Sequence, residues 1–446
     1  MREHIGGEAD APAQVLRALG LEPPLPPGAL APLAVNGQLT GDADAVEVTV
    51  NLDVAGGTLD VAGTVADPLG ADPRVDLTAR AVHPDLTALV RRAGPDYRPA
   101  GPLDGLDLYA RLSGTAEAVT VDDLQGQLGT VILAGSLALD RRGDRPRIDA
   151  DLRTGAVVLD DWLPAAAAAP AGRAAAPWPE EPFDLSALQA VDGTFSAVAT
   201  SLRYGDLELA APTLRAELAR GRLTVDPFAA GLFGGRLGGR LTLAAEPEPA
   251  LSGRVDLVGA GLAAALAAGF GVGGLDGTLD FGLEGRTAGA DPAAWAAALT
   301  GEGLVAVRDG TMRGFDLSAL GARLAEAPRD GSAAPGVADA ATEGETAFAA
   351  LNAPFTVFDG AAETDALRAV GDAGVVEGTA RFDLARWRLD LTATARPLRP
   401  PGAPGVTLVL EGPPEALARR LETEALQAWL NGTDGAAPDG APPATD

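Results

Sequence analysis

Apolar and polar residues alternate one by one over long stretches of this chain. In VVEGTARFDLARWRLDLTATARP, residues 375–397, Val376, Ala380, Phe382 and Leu384 fall on one side of an extended backbone, with Glu377, Thr379, Arg381 and Asp383 on the other. After Ala385 and Arg386, Trp387, Leu389, Leu391 and Ala393 share a side, opposed by Arg388, Asp390, Thr392 and Thr394. Successive side chains of a strand point to opposite faces, so this spacing predicts an antiparallel hairpin with one greasy face. The same order of strand, polar turn and strand recurs at 59–81, 133–155 and 237–259, a degenerate internal repeat.

The apolar sides are consistent from copy to copy. Val46, Val48, Val50, Leu52 and Val54 share one; so do Val131, Leu133, Leu137 and Leu139, then Leu237, Leu241 and Leu243, then Val255 and Leu257, then Leu279, Phe281 and Leu283. Gly63, Gly135, Gly239, Gly253 and Gly378 fall on the same side, where a missing side chain permits a bend or a close approach. The fold class this predicts is mainly β: a long, curved, repetitive antiparallel sheet whose apolar face forms a groove. The predicted lining is Val48, Val50, Leu52, Val131, Leu133, Leu137, Leu139, Leu237, Leu241, Leu243, Val255, Leu257, Leu279, Phe281, Phe382, Leu384, Leu389 and Leu391.

Helices are few. DPAAWAAALTG (291–301) has Asp291 placed to cap and Pro292 at the first helical position; DLSALGARLAEA (316–327) is amphipathic. PEALARRLETEALQAWLNG (414–432) puts Leu417, Leu421, Ala425 and Trp429 near one stripe before Gly432, and predicts one long helix. Such helices suit the ends of a sheet, as caps or plugs. The chain then divides into an irregular opening (1–32), a first β-repeat section (33–162), an Ala/Pro-rich linker (163–182), a second β-groove section (183–432) and a disordered acidic tail (433–446). APRDGSAAPGVADAATEGE (327–345) reads as a mobile loop. The opening has no element boundary before it and reads as part of a longer chain.

Composition adds to this reading. Hydrophobic residues are 47% of the 446 but aromatics only 4%, so apolar surfaces are built from Ala, Val and Leu. That core is thin, and the few helices cannot cover many strands, so something other than the chain is expected to lie in the groove. A formal charge of −28 gives no electrostatic support to binding nucleic acid or an anionic membrane surface. All the basic residues are arginine, the bias of a GC-rich bacterial genome. With no cysteine, and with His4 and His83 the only histidines, a Ser-His-Asp triad or a multi-histidine zinc site has nothing to be built from. No apolar run of about 18 residues occurs, and MREHIGGEADAPAQ lacks the apolar core of a signal peptide.

Several small motifs compete with blander readings. GFGVGG (269–274) has the spacing of a dinucleotide loop, but that loop needs a strand before it and a helix after it, and here helix-like AGLAAALAA comes first. GLFGGRLGGR (231–240) is glycine-rich without the lysine of a Walker motif. Asp42 with Asp44, Asp122 with Asp123, and Asp160 with Asp161 lack the ligand set of a calcium loop and read as turn carboxylates. Trp162, Trp178, Trp295, Trp387 and Trp429 are scattered, which suits ordinary packing, and His83 before Pro84 reads as a turn residue. Asn431 to Thr433 matches a glycosylation sequon and reads as chance. The residues predict no enzyme, no catalytic residues, no metal, no cofactor and no nucleotide.

Residues 178–243 combine a proline-flanked DLSAL, a G.L.L..P...L stretch, a G.L.V.P..A.L.GG stretch and an alternating strand; ALTGEGLVAVRDGTMRGFDLSALGARL (298–324), an alternating hairpin and VTLVLEGPPEAL follow in order. This arrangement resembles the AsmA family, most strongly from about residue 100 onward. The resemblance implies kinship with TamB and the chorein-type bridge-like lipid transfer proteins, and a long curved sheet enclosing an apolar trough. It also implies phospholipid acyl chains as ligand, movement of phospholipid between inner and outer membranes, envelope biogenesis, and a periplasmic location with an inner-membrane anchor or partner protein. Family members usually begin with a transmembrane helix, which this sequence lacks. Three rival expectations stand beside it: a scaffold or adhesin of self-covered β-sandwiches, a transmembrane β-barrel, which needs aromatic girdles, and, last, an enzyme.

Overall fold

The alternating segments are strands, and nearly all pair with the next strand along the chain. The computed structural model describes residues 2–9, 33–93, 99–101, 103–163, 178–328 and 344–432. It divides into two units, residues 1–174 with 184–231 and 242–246, and residues 175–183 with 232–241 and 247–446.

The first unit holds β1 (Arg2–Ala9), β2 (Leu33–Gly41), β3 (Ala45–Val54), β4 (Gly57–Ala66), β5 (Arg74–His83), β6 (Leu106–Gly114), β7 (Ala118–Leu128), β8 (Val131–Asp140), β9 (Arg147–Val158), β10 (Asp192–Tyr204), β11 (Leu207–Ala219) and β12 (Arg222–Leu232). Short helices α1 (Leu86–Ala93), α2 (Leu159–Trp162) and α3 (Ser186–Ala190) sit in its connections. Each strand pairs antiparallel with the next. The exception to the predicted antiparallel order is β9 with β10, which run parallel from Asp192 beside Arg147 to Arg203 beside Val158. A parallel neighbour requires a crossover of a dozen or more residues, and the stretch from 159 to 191 supplies it.

The second unit holds β14 (Ala250–Gly261), β15 (Leu275–Ala288), β16 (Thr300–Arg313), β17 (Glu345–Phe358), β18 (Ala361–Gly371), β19 (Gly374–Asp383), β20 (Arg388–Pro397), β21 (Val406–Gly412) and β22 (Ala418–Glu422), paired antiparallel in that order. Strand β13 (Gly235–Ala244) straddles the division between the units. Four helices accompany the sheet: α4 (Leu262–Phe270), α5 (Pro292–Ala298), α6 (Leu317–Glu326) and α7 (Glu424–Leu430). The predicted cap at Asp291 forms, accepting from the Ala294 N–H at 2.7 Å, and Asp316 caps α6 in the same way, accepting from the Ala319 N–H at 2.8 Å.

Two expectations change. The opening is not wholly irregular, because Arg2–Ala9 lies along β2, where backbone pairing requires no side-chain pattern. The single helix predicted over 414–431 is a 3-10 turn at Pro414–Ala416, then β22, then α7. The open edge of β21 takes Ala418–Glu422 as a partner, with Leu408 beside Leu421, so the four-residue spacing of Leu417 and Leu421 misleads. Residues 10–32, most of the predicted linker (164–177), most of the predicted loop (329–343) and the tail (433–446) lie outside the described residues.

Curvature has a local cause. Gly63 pairs with Val48 on one side and Leu77 on the other, at φ +147°, and a Cβ there would overlap the Asp76 carbonyl oxygen. Gly135 is in the same position against the Asp151 carbonyl oxygen. With no side chain there, the neighbouring strand's carbonyl can approach the apolar side closely, which is what a bend at these positions requires.

Candidate functional site: the apolar faces of the two units

In the first unit the registers join apolar residues into rows that run across the strands. One row passes through Leu39, Val48, Gly63, Leu77, Leu112, Val121, Leu137, Ala150, Phe195, Ala216 and Val225. A second passes through Val46, Val65, Val75, Gly114, Val119, Leu139, Ile148, Gly193, Leu218 and Leu223. Neither contains a polar side chain. Almost all of these residues are only half-buried. The buried cluster in this unit is small, Val35 and Leu52 with Val50, Val54 and Leu59 packed against them.

The opposite face is polar and charged. One row there reads Thr40, Glu47, Thr64, Asp76, Ser113, Thr120, Ala138, Asp149, Thr194, Glu217 and Thr224. Arg111 makes a bidentate pair with Asp76 and Arg80 with Asp107, at 2.9 and 2.7 Å, and these hydrogen bonds hold both carboxyls below the usual aspartate range. A depression of about 680 Å³ lies on this side among Asp122, Asp149, Asp151, Glu217 and Asp226. Asp149 is already engaged by Arg147 and by the Thr194 hydroxyl and N–H. Among the described residues, no group of three His, Cys, Asp or Glu is placed to hold a metal.

The second unit has the same two-sided sheet, but its own helices cover part of the apolar side. A row through Ala260, Leu279, Val307, Leu351, Ala369, Val376, Ala395 and Val406 is mostly buried. Helix α4 packs over its start, where Leu262, Ala265 and Leu266 meet Leu257, Leu279, Val307 and Phe348. Helices α6 and α7 pack over its end, where Leu317, Leu320, Leu324, Leu426, Trp429 and Leu430 bury themselves against Ala395 and Val406. The expectation that the chain cannot cover its own groove therefore fails here. A row of smaller cover, through Gly301, Val357, Ala362, Phe382, Leu389 and Gly412, lies toward the other strand ends.

The predicted lining residues fall as follows. Val48, Val50, Leu133, Leu137 and Leu139 are half-buried in the first unit, and Leu52 and Val131 are buried. Leu237, Leu241 and Leu243 are half-buried along β13, as are Val255, Phe281, Phe382, Leu389 and Leu391 in the second unit. Leu257 and Leu279 are buried in the cluster beneath α4. Leu384 lies in the turn after β19 rather than on the strand, its N–H bonded to the Gly360 carbonyl at 2.9 Å. Leu112, Val121 and Phe195 join the first row without having been predicted; the alternation of Leu106, Leu108, Ala110 and Leu112 carried that signal.

The structure also gathers aromatic residues that look scattered in sequence. Phe270, at the end of α4, stacks on Trp387 with centroids 5.6 Å apart and meets Phe382 edge-on at 5.6 Å. Trp178 packs edge-on against Trp387 at 6.0 Å and donates its indole N–H to the Leu384 carbonyl at 2.7 Å. The remaining motifs resolve into structure. GFGVGG is the end of α4 and the turn into β15, with Gly271 left-handed at the helix C-cap, so no helix N-terminus faces those glycines. His83 is buried, its Nε2 3.2 Å from the Ala55 carbonyl oxygen and its Nδ1 accepting from the Asp85 N–H. Asp42 accepts from the N–H groups of Asp44 and Ala45, and Asp160 from that of Gly205.

Curved, mostly antiparallel sheets with one apolar and one polar face define a class of groove-bearing β-sheet proteins. The family model that matches is that of the AsmA family, over residues 124–367, more than half of the chain, and the chain belongs to that family. No curated protein and no solved structure matches the chain. Membership and the large sheet fit envelope-related lipid transport at the level of the family. Among the described residues no helix is long and apolar enough to cross a membrane.

Proposed function

We propose that the uncovered apolar face of the first unit binds the acyl chains of phospholipids and guides them along the sheet, between the inner and outer membranes. The observation that carries this reading is the pair of apolar rows, which continue across the strands of this unit without a polar side chain while most of their residues remain half-exposed. Each methylene moved from water onto such a surface is worth about 0.8 kcal/mol. Small aliphatic side chains offer no hydrogen bonds for a sliding hydrocarbon to break, and headgroups stay in water beside the groove. In this reading the protein does no chemistry and works in the periplasm, beside an inner-membrane anchor or partner protein.

The test is native mass spectrometry of the full chain after exposure to phosphatidylethanolamine vesicles. The wild type is expected to carry phospholipid, and the variant Leu77→Asp, Leu112→Asp, Leu137→Asp to carry at least tenfold less while keeping its far-UV circular dichroism. A folded wild type without phospholipid overturns the reading.

A further inference from the structure

Helices α4 and α6 both lie on the apolar face of the second unit, and they are held in different ways. Helix α6 is fixed at its start: Asp316 caps it, and the buried Thr346 hydroxyl accepts from the Leu317 N–H at 2.9 Å while donating to the Phe315 carbonyl at 2.7 Å. Its Leu317, Leu320 and Leu324 are at most 1% exposed. Helix α4, LAAALAAGF, has no charged residue, no side-chain cap and one deeply buried residue, Leu262. Its stripe of Leu262, Ala265, Leu266 and Phe270 faces the sheet, while Ala263, Ala264, Ala267 and Ala268 face outward.

The two ends of α4 also differ. The start is anchored by the Gly261 N–H on the Phe233 carbonyl at 2.8 Å and by buried Leu262. Toward the far end, Leu266 packs on the buried cluster and Phe270 is set against Phe382 and Trp387. Beyond it come Gly271, Gly273 and Gly274, with Gly269 just before, and a Cβ at any of the four would meet nothing within 4 Å. Gly271 and Gly274 adopt positive φ, of +65° and +97°, but Gly269 and Gly273 do not. Packing therefore gives no reason for glycine at 269 or 273, and its consequence there is freedom of the backbone.

We propose that α4 is a hinged strap, rooted at Gly261 and Leu262 and clasped by Phe270, that occupies the place of an acyl chain on the second unit and swings aside when hydrocarbon arrives. The inference rests on the lipid-binding reading above. The strap is chemically a surrogate for its competitor: Leu266 and Phe270 present to the sheet the kind of surface a fatty acyl chain presents. Among the described residues, α4 makes no ion pair and has no side-chain cap, and the Gly261 N–H bond lies at the root that stays in place, so displacing the rest of the helix exchanges one apolar contact for another and a small difference in affinity is enough to move it. The same displacement of α6 would leave the Thr346 hydroxyl and the Leu317 N–H without partners.

Hydrogen exchange on the full chain tests this, read on the amides of Leu266–Phe270 against those of β15 and β16, with bound phospholipid counted by native mass spectrometry on the same samples. Without lipid, the α4 amides are expected to open independently of the strands. Gly269→Ala with Gly273→Ala slows that opening about tenfold by removing backbone freedom, and Phe270→Ser speeds it at least fivefold. With phosphatidylethanolamine vesicles, exchange in α4 rises at least fivefold while β15 and β16 become more protected. Opening of α4 only together with β15 and β16, at the same urea dependence, overturns the strap. So does bound phospholipid with exchange in α4 unchanged, which leaves the lipid-binding reading intact. Absence of phospholipid from every sample overturns both.

Discussion

Among the described residues, the first unit leaves most of its apolar face half-exposed where the second lays helices across its own. Both are built from the same alternating strands, so the difference lies in what the connections contain. In the first unit the described hairpin turns are mostly short and polar, and its buried cluster takes in no residue of α1, α2 or α3. In the second, the segments that follow β14, β16 and β22 each carry an amphipathic or wholly apolar helix that packs on the sheet. A row of Val, Leu and Ala thus has two fates, a packed core or a half-wetted surface, and the strand itself does not choose between them.

The largest expected effect probes the covered end. Leu320→Ala removes a side chain with no exposure from the α6 cluster and should cost about 3–5 kcal/mol in urea unfolding. Leu137→Ala, on a half-exposed row of the first unit, should cost under about 1 kcal/mol without lipid. Equal losses would erase the contrast between the units. Next in size is Gly63→Ala, which forces a Cβ into the Asp76 carbonyl at positive φ and should cost about 2–3 kcal/mol. Gly155→Ala, with only ordinary 3.7 Å neighbours at its Cβ and no positive φ, should change stability by under about 0.5 kcal/mol. A harmless Gly63→Ala would separate the bend from the glycines.

Thr346→Val should cost about 1–3 kcal/mol, because it strands the Leu317 N–H and the Phe315 carbonyl in a buried site. The same exchange at Thr78, whose hydroxyl donates to the Ala62 carbonyl on an exposed face, should lie within about 0.5 kcal/mol. The smallest effect concerns acid. Arg142 holds the Asp140 carboxyl down at about 2, and Arg111 and Arg80 hold Asp76 and Asp107 below the usual range. Folding lowers these values, so the unfolded chain takes up protons first. The contribution is present above the ordinary value of 3.8 and fades as pH falls from there through the lowered values, to about 2 for Asp140. Urea midpoints at pH 5, 3 and 2 should decline slightly, and less so in Asp76→Asn with Asp107→Asn; a stronger decline in that variant would reverse the assignment.

Much of this was legible from spacing alone. Alternation located the hairpins at 59–81, 133–155 and 375–397, and the glycines within them marked the bends. The helix at 291–301 announced itself through Asp291 and Pro292, because capping is a local interaction, and that at 316–327 through its amphipathic spacing. The stretch 414–431 misled because helical and extended periodicities both accept Leu417 and Leu421, and the unpaired edge of β21 decided between them. The aromatic cluster gave no signal, since Trp178 and Trp387 are neighbours only after the chain has folded between them.

From residue order alone came the two faces of the alternating strands, one acidic and one aliphatic, because side-chain direction in an extended chain depends on nothing beyond the next residue. Tertiary structure alone decided that β10 lies parallel to β9, that β22 is a strand, and that α4 and α6 cover one apolar row while others stay open. Those outcomes turn on which distant segments meet, and hydrophobic contact is non-directional, so a greasy face specifies that it will be covered without specifying by what.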